Sequence, residues 1–261
     1  MQVVILCGGM GTRLKEETEY KPKPMVEIGG KPILWHIMKH YEHYGYNEFI
    51  LALGYKGDII RNYFLNYRYY NSNFTIHLSN NTAIEFHNSS NCLNWKITFV
   101  ETGSNSMTGY RTKLCSVYIK ESNFMLTYGD AVSNVNIDKL IAHHKKMNRI
   151  GTVTGVSPPS RFGNLSISGN MVDKFKEKPN NSTDKDFINA GFFVFKKEFL
   201  SMLQDDPTCD LEGEPLEKLA MQKQFVVYKH YGFWQCMDTY RDFVLLNDLW
   251  KKSPEWKIWD D

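Results

Sequence analysis

The chain has 261 residues, of which 42% are hydrophobic and 23% are charged, and its formal net charge is +2. This composition and length are those of a globular protein that buries its own core, which excludes a disordered chain. The near-neutral charge argues against a polybasic protein that binds nucleic acid or a membrane surface. No apolar run approaches the ~18 residues that a transmembrane helix needs.

The first residues and the cysteines predict the cellular compartment. The chain begins with a short apolar run and has neither the cationic leader nor the longer apolar core of a signal peptide. The five cysteines are scattered and include no C-x-x-C pair, so neither a disulfide framework nor a zinc ribbon is predicted. We therefore expect a cytoplasmic protein.

The first part of the chain alternates between strand and helix patterns. Val3–Cys7 is a continuous apolar run, which is typical of a strand that is buried on both faces. Apolar residues at 3–4 spacing over 33–41 predict a helix that ends before Gly45. Residues 48–53 are predicted as the next strand, and Asp58 is predicted to cap the following helix. This alternation with short connections predicts an α/β fold with a mostly parallel sheet.

The later patterns are more mixed. Polar turns separate three short predicted strands between residues 68 and 100, and a helix is predicted from Thr112 to Lys120. Further helices are predicted beyond Asp138 and from Thr239 to Lys251. The remaining predicted strands are 124–128, 151–156, 164–167, 171–176, 187–195 and 225–231. Because there is no internal repeat or linker, we expect one α/β domain over 1–261, whose last third elaborates the same sheet.

A glycine-rich turn follows the first predicted strand. Gly8, Gly9 and Gly11 lack a Cβ that would block the path, so backbone N–H groups can approach a phosphate chain closely. Arg13 adds a guanidinium that suits phosphate oxygens. A plain tight turn between a strand and a helix is the alternative interpretation. Neither the Walker A pattern nor the G-x-G-x-x-G fingerprint matches this spacing.

Lys23 lies between two prolines, ten residues beyond this turn. Pro22 and Pro24 restrict the backbone to an extended path, which holds the amine in a defined direction. Close to a phosphate-binding turn, a phosphate is the obvious ligand of such a cation. A solvated surface charge is the alternative interpretation.

Two aspartates complete the set of candidate residues. Asp130 follows a buried predicted strand, and Asp238 begins the last predicted helix. Carboxylates at such places are natural Mg²⁺ ligands when a phosphate substrate supplies the other oxygens. Taken alone, Asp130 is equally well explained as a turn residue, and Asp238 is better explained as a helix N-cap. His36 and His40 are four apart on a predicted helix, and we interpret them as packing residues rather than metal ligands.

Several segments resemble a known family. The segments 4–14 and 21–26 are similar to the signature of sugar-1-phosphate nucleotidyltransferases. Further segments resemble, in order and nearly end to end, the glucose-1-phosphate cytidylyltransferases of that family; they are 25–36, 106–109, 127–130, 177–179, 188–193 and 232–239. An ordered series of this length is far more specific than any single motif.

The resemblance implies a fold, a reaction and a cofactor. The fold would be a Rossmann-like, mostly parallel twisted sheet flanked by helices, with additional short strands. The reaction would join CTP and α-D-glucose 1-phosphate into CDP-glucose with release of pyrophosphate, for deoxysugar and surface polysaccharide synthesis. Mg²⁺ would be the cofactor, and the chain would form a homo-oligomer, a hexamer on the family pattern. The nucleotide-binding part would be about 1–135 and the sugar-phosphate part about 136–261.

By matching position, the resemblance also implies roles for individual residues. The catalytic residues would be Arg13, Lys23, Asp130 and Asp238, with the two aspartates as the Mg²⁺ ligands. The nucleotide would be bound by Leu6, Cys7, Gly8, Gly9, Met10, Gly11, Thr12, Arg13, Lys23, Ser106 and Arg111. The sugar phosphate would be bound by Tyr128, Glu177, Lys178, Asn189 and Gly191.

Three positions depart from the family pattern, and they keep alternatives open. Tyr110, Ala131 and Ala190 stand where the family tends to have glycine, and each adds a side chain that we expect to intrude near a ligand. Spacing and charge do not distinguish cytosine from another base. A transferase with another nucleotide or another phosphorylated acceptor is therefore an alternative, and so is a non-catalytic subunit that senses sugar nucleotides. The aromatic segment 63–70 favours self-association.

Overall fold

The computed structural model describes residues 1–9, 11, 14–78, 83–87, 93–157, 164–168, 171–176 and 187–260. The strands are β1 (Val3–Leu6), β2 (Glu27–Ile28), β3 (Lys31–Pro32), β4 (Glu48–Leu53), β5 (Phe74–His77), β6 (Ala83–Phe86), β7 (Lys96–Glu101), β8 (Asn123–Tyr128), β9 (Ala131–Ser133), β10 (Gly151–Val156), β11 (Asn164–Ser168), β12 (Met171–Lys176), β13 (Ile188–Lys196), β14 (Phe225–His230) and β15 (Trp234–Cys236). The α-helices are α1 (Lys15–Thr18), α2 (Ile33–His43), α3 (Gly57–Leu65), α4 (Tyr67–Asn71), α5 (Thr108–Cys115), α6 (Ile137–Met147), α7 (Glu214–Met221) and α8 (Tyr240–Lys252). Short 3₁₀ helices cover Lys23–Met25, Ser116–Tyr118 and Lys197–Met202.

A central sheet organises the described part of the chain, in the strand order β14-β10-β13-β8-β1-β4-β7. β1 is parallel to both β4 and β8, β4 is parallel to β7, and β10 is parallel to β14. β13 alone runs antiparallel to its neighbours in this sheet, β10 and β8. The expected mostly parallel sheet is therefore confirmed. β7, which the sequence grouped with the short strands, lies at the edge of this sheet.

Helices cover both faces of the sheet. Along β1, Val3 and Ile5 belong to one hydrophobic cluster, whereas Val4 and Leu6 belong to another, because successive side chains of a strand point to opposite faces. The first cluster includes residues of α2, α6 and α8. The second includes residues of α5, α7 and the 3₁₀ helix that precedes α7. This is the α/β architecture that the sequence predicts.

The starts of α3 and α5 differ from the predicted ones. α3 begins at Gly57 after Lys56, so Asp58 is not its cap but lies in the first turn, where a carboxylate still favours the positive end of the helix. α5 covers Thr108–Cys115 and passes into a 3₁₀ helix, whereas 112–120 was predicted. The prediction was wrong because a distant loop fixes the first turn: the N–H of Tyr110 donates to the carbonyl of Cys209 at 3.0 Å.

His36 and His40 are packing residues, as interpreted from the sequence. Both are buried. Nε2 of His36 lies 2.8 Å from the carbonyl oxygen of Ile28, and Nε2 of His40 lies 2.8 Å from that of Val135. Burial lowers the pKa of each imidazole to about 4.

Within the described residues, no three histidine, cysteine or acidic side chains are grouped to hold a metal ion. The same residues include no helix long and apolar enough to cross a membrane.

Candidate active site

A cleft of about 500 Å³ opens at the carboxyl ends of β1 and β8. Clefts at this edge of an α/β sheet are where such folds bind ligands. The cleft brings together residues that the sequence singled out, namely Leu6, Cys7, Gly8, Gly9, Gly11, Lys23, Ser106, Arg111, Tyr128, Asp130 and Asp238. It is also lined by residues that were not predicted, namely Pro24, Met107, Thr108, Gly129 and Glu212.

The other predicted site residues form two groups. The first group, Asn189 and Gly191, is described but is not part of the described lining of this cleft. Asn189 and Gly191 lie at the start of β13, and the side-chain amide of Asn189 reaches Tyr128 in the cleft wall. The roles of five residues stay predictions, since they lie outside the described residues; these are Met10, Thr12, Arg13, Glu177 and Lys178.

Asp130 and Asp238 lie together on either side of Lys23. The ammonium of Lys23 donates to Oδ2 of Asp130 at 2.7 Å and to Oδ1 of Asp238 at 2.5 Å. Burial by itself lowers the pKa of Lys23, but the charges and hydrogen bonds of the two carboxylates raise it above its usual range. Lys23 therefore stays protonated and neutralises part of the acidic pair.

A short antiparallel ladder brings the two aspartates together. Asp130 lies in the turn between β8 and β9, and β9 pairs with β15, just before Asp238. The N–H of Met237 donates to the carbonyl of Asp130 at 2.8 Å, which fastens the two segments side by side. Residues far apart in the sequence thus meet at the end of β8.

The side chain of Asp238 is not the cap of the last helix. Thr239 caps α8 by accepting a hydrogen bond from the N–H of Asp242, and the carboxylate of Asp242 accepts one from the N–H of Thr239. This reciprocal pair is a capping box. It leaves the carboxylate of Asp238 directed to Lys23, so the N-cap interpretation of Asp238 is wrong.

The acidic pair fits a magnesium ion. Mg²⁺ is usually held by one or two carboxylates and by the phosphate oxygens of a substrate. Asp130 and Asp238 meet this requirement, since both are about one-third exposed at the cleft and both already bind one cation, the ammonium of Lys23. A metal ion between them would compete with that ammonium.

Arg111 lies beneath the glycine turn. It is buried, and its guanidinium donates to the carbonyls of Gly8 at 3.0 Å, Leu53 at 3.2 Å and Gly103 at 2.7 Å. These carbonyls follow or end β1, β4 and β7. A Cβ at Gly8 would lie 2.1 Å from Nη1 of Arg111, so only glycine allows this approach. Arg111 therefore stabilises the glycine turn through a hydrogen bond to the backbone of Gly8. Its predicted contact with a nucleotide stays a prediction.

Cys7 does not offer a nucleophile. Its side chain is buried in the first hydrophobic cluster, and burial strongly raises the pKa of its thiol. The thiolate is the reactive form of cysteine, so a thiol held protonated is inert. The site therefore provides charges and backbone dipoles, with no covalent chemistry at Cys7.

The structure describes all three residues that depart from the family pattern. Ala131 and Ala190 are buried, with 4% and 1% exposure, and Tyr110 packs against the second hydrophobic cluster. None of the three lines the cleft as described. Their expected intrusion near a ligand stays a prediction.

Comparisons with known proteins identify the family of the chain. The family model described as nucleotidyl transferase matches residues 2–253. The chain is 47% identical over 262 residues to the glucose-1-phosphate cytidylyltransferases of Salmonella typhi and of Salmonella typhimurium, each covering 100% of both sequences. It is 25% identical to the protein in the crystal structure of HddC from Yersinia pseudotuberculosis, with a TM-score of 0.67 over 95% of this chain and 98% of that one. The chain therefore belongs to the nucleotidyl transferase family and, within it, to the glucose-1-phosphate cytidylyltransferases.

Proposed function

We propose that the chain transfers the cytidylyl group of CTP to α-D-glucose 1-phosphate, which yields CDP-glucose and pyrophosphate. The observation that carries this proposal is the meeting of Lys23, Asp130 and Asp238 in the cleft beside the glycine turn. Relatives that are 47% identical over their whole length carry the name of this activity.

The chemistry requires charge compensation rather than a general base. A sugar 1-phosphate is close to a dianion at neutral pH, since the second pKa of a phosphate monoester is about 6. The attacking oxygen needs no deprotonation, but it must approach the α-phosphorus of a highly charged triphosphate. Fixed cations and backbone N–H groups that stabilise this charge are therefore the main requirement.

The residues of the cleft fit these tasks. Asp130 and Asp238 would hold Mg²⁺, which supplies charge neutralisation at the phosphates when bound. Lys23 shares these two carboxylates and would turn its ammonium towards the phosphates when a metal ion takes its place. The N–H groups of the glycine turn would bind the triphosphate, and Arg13 and Lys178 are proposed as further cations. The cleft would hold the sugar phosphate in line with the α-phosphorus of CTP, which would supply much of the remaining rate.

Pyrophosphate release tests the reaction. We expect release with CTP and glucose 1-phosphate in the presence of Mg²⁺, and far slower release when UTP, dTTP or GTP replaces CTP or when another hexose 1-phosphate is the acceptor. Activity with UTP but not CTP would contradict the choice of base. A chain that binds CDP-glucose but turns over no pair of substrates would instead be a sensing subunit.

We also propose that the chain forms a homo-oligomer through an apolar arm, which consists of residues 65–78 and 83–86. Its aromatic side chains pack on each other, as Tyr69 does on Phe74 and Phe86. Large apolar side chains of the arm are nevertheless exposed, namely Leu65, Tyr70, Ile76 and Leu78, with exposures from 45% to 85%. A patch of this kind is typical of protein interfaces, and a second copy of the chain would cover it.

The mass in solution tests this assembly. We expect light scattering after size exclusion to give a multiple of 30.5 kDa, with six copies as the resemblance implies. The variant I76K should lower that mass, because it places a charge in the apolar arm. V117K is the matched control, since Val117 is exposed elsewhere, in the 3₁₀ helix Ser116–Tyr118. A monomeric wild-type chain would contradict the proposal.

A further inference from the structure

Glu212 reaches the cleft from a loop that no sequence motif marks. The loop is fastened to the first turn of α5: the N–H of Met107 donates to the carbonyl of Pro207 at 2.8 Å, and Gly109 lies so close that a Cβ there would be 2.7 Å from Sγ of Cys209. Leu211, next to Glu212, is fully buried. The backbone therefore fixes the position of Glu212.

Two hydroxyl groups orient the carboxyl group of Glu212. The hydroxyl of Thr108 lies 2.6 Å from its Oε2 and 2.8 Å from Oδ1 of Asp210, and the phenol of Tyr128 donates to its Oε1. The side-chain amide of Asn189 holds that phenol in turn, with Nδ2 3.1 Å from the Tyr128 oxygen. An ionised carboxylate offers about four acceptor sites, so the carboxyl group of Glu212 can bind a further hydroxyl group besides its contacts with Thr108, Tyr128 and Asp210. The carboxyl group of Glu212 is thus an oriented hydrogen-bond acceptor for hydroxyl groups in the wall of the cleft.

The chemistry of Glu212 differs from that of the phosphate-binding side of the cleft. Asp130 and Asp238 are compensated by Lys23, whereas the described residues give Glu212 no ion pair with lysine or arginine; its polar partners are hydroxyl groups and the neighbouring Asp210. Loss of hydration raises the pKa of Glu212, and its hydrogen bond to Asp210 raises it further. A carboxyl group of this kind suits neutral hydroxyl groups and does not suit phosphate.

The strand order indicates which substrate meets Glu212. The glycine turn follows β1. Tyr128 ends β8 and accepts a hydrogen bond from Asn189 of β13, and β13 lies on the opposite side of β8 from β1. The two substrates must meet at Asp130, in the turn after β8. If the triphosphate occupies the glycine turn, the acceptor occupies the side of β8 that faces β13.

We propose that Glu212 recognises hydroxyl groups of the acceptor sugar and thereby helps to decide which sugar 1-phosphate is used; this inference rests on the proposed function. Tyr128 and Thr108 act with it as positioning residues, because they fix the direction of its carboxyl oxygens. The position therefore selects acceptors by their hydroxyl groups rather than by their phosphate.

Deoxy acceptors test the proposal. Steady-state kinetics would compare the wild type, E212A and E212Q with glucose 1-phosphate and with its 2-, 3-, 4- and 6-deoxy analogues, and with CTP and 2′-deoxy-CTP. We expect E212A to lower kcat/KM for glucose 1-phosphate about 10- to 100-fold, as expected for a lost hydrogen bond to an ionisable group. The analogue that lacks the recognised hydroxyl group should be used equally well by the wild type and by E212A. E212Q should retain part of the preference, and KM for CTP should stay unchanged.

A matched control and the remaining outcomes make the result decisive. E214A removes an exposed glutamate two residues away that bonds to Gln204, and its kinetics should equal those of the wild type. If the loss instead follows the ribose hydroxyl of CTP, or is the same for every acceptor in E212A and E212Q, the proposal is wrong while the proposed function stands. A wild-type chain without turnover would overturn the proposed function and this inference with it.

Discussion

The variant D130N is expected to fold normally and to lose about 10³-fold of Mg²⁺-dependent turnover. The loss follows because an amide oxygen replaces one of the two charged metal ligands, and a bound metal supplies several kcal/mol of charge stabilisation at about 1.36 kcal/mol per tenfold in rate. The fold should persist because the backbone carbonyl of Asp130, not its carboxylate, accepts the hydrogen bond from Met237. The measurement is the rate of pyrophosphate release as a function of Mg²⁺ concentration, together with thermal unfolding.

D138N is the matched control for this experiment. Asp138 is an exposed aspartate in the first turn of α6, away from the cleft, so its variant should keep the wild-type rate and the wild-type dependence on Mg²⁺. An unchanged rate in D130N would remove Asp130 from the mechanism. If excess Mg²⁺ restored the rate of D130N to that of the wild type, Asp130 would contribute to metal affinity alone.

The variant K23M should have two opposite effects. Turnover should fall about 10²- to 10³-fold, the range for removal of one group that stabilises transition-state charge. Metal binding without nucleotide should become at least about tenfold tighter, because the ammonium that bridges Asp130 and Asp238 no longer competes with the cation. Titration with Mn²⁺, followed by electron paramagnetic resonance, measures the second effect independently of turnover.

K21M is the control that separates position from charge. Lys21 lies two residues before Lys23, but its ammonium is 3.8 Å from Glu27 and does not line the cleft. K21M should therefore keep both the wild-type rate and the wild-type affinity for Mn²⁺. Equal Mn²⁺ affinity in K23M and the wild type would contradict competition between Lys23 and the metal.

The fold could be predicted where the signal was local. β1 (Val3–Leu6) is a continuous apolar run and β4 (Glu48–Leu53) is apolar after its first residue, and both strands lie close to the predicted ones. The start of α5 was missed because its first turn contains Gly109 and polar residues, and the loop at Cys209 stabilises it from the other end of the chain.

The candidate site divides in the same way. The sequence by itself marked the glycine turn, Lys23, Asp130 and Asp238, because residue type and spacing carry the chemistry of phosphate and metal binding. Only the tertiary structure decided that Lys23 bridges the two aspartates and that Glu212 faces the same cleft. These contacts depend on the β9–β15 ladder and on the loop packed against α5. Such long-range packing leaves no periodic trace in the sequence, since each partner is chosen by the surface that the rest of the chain presents to it.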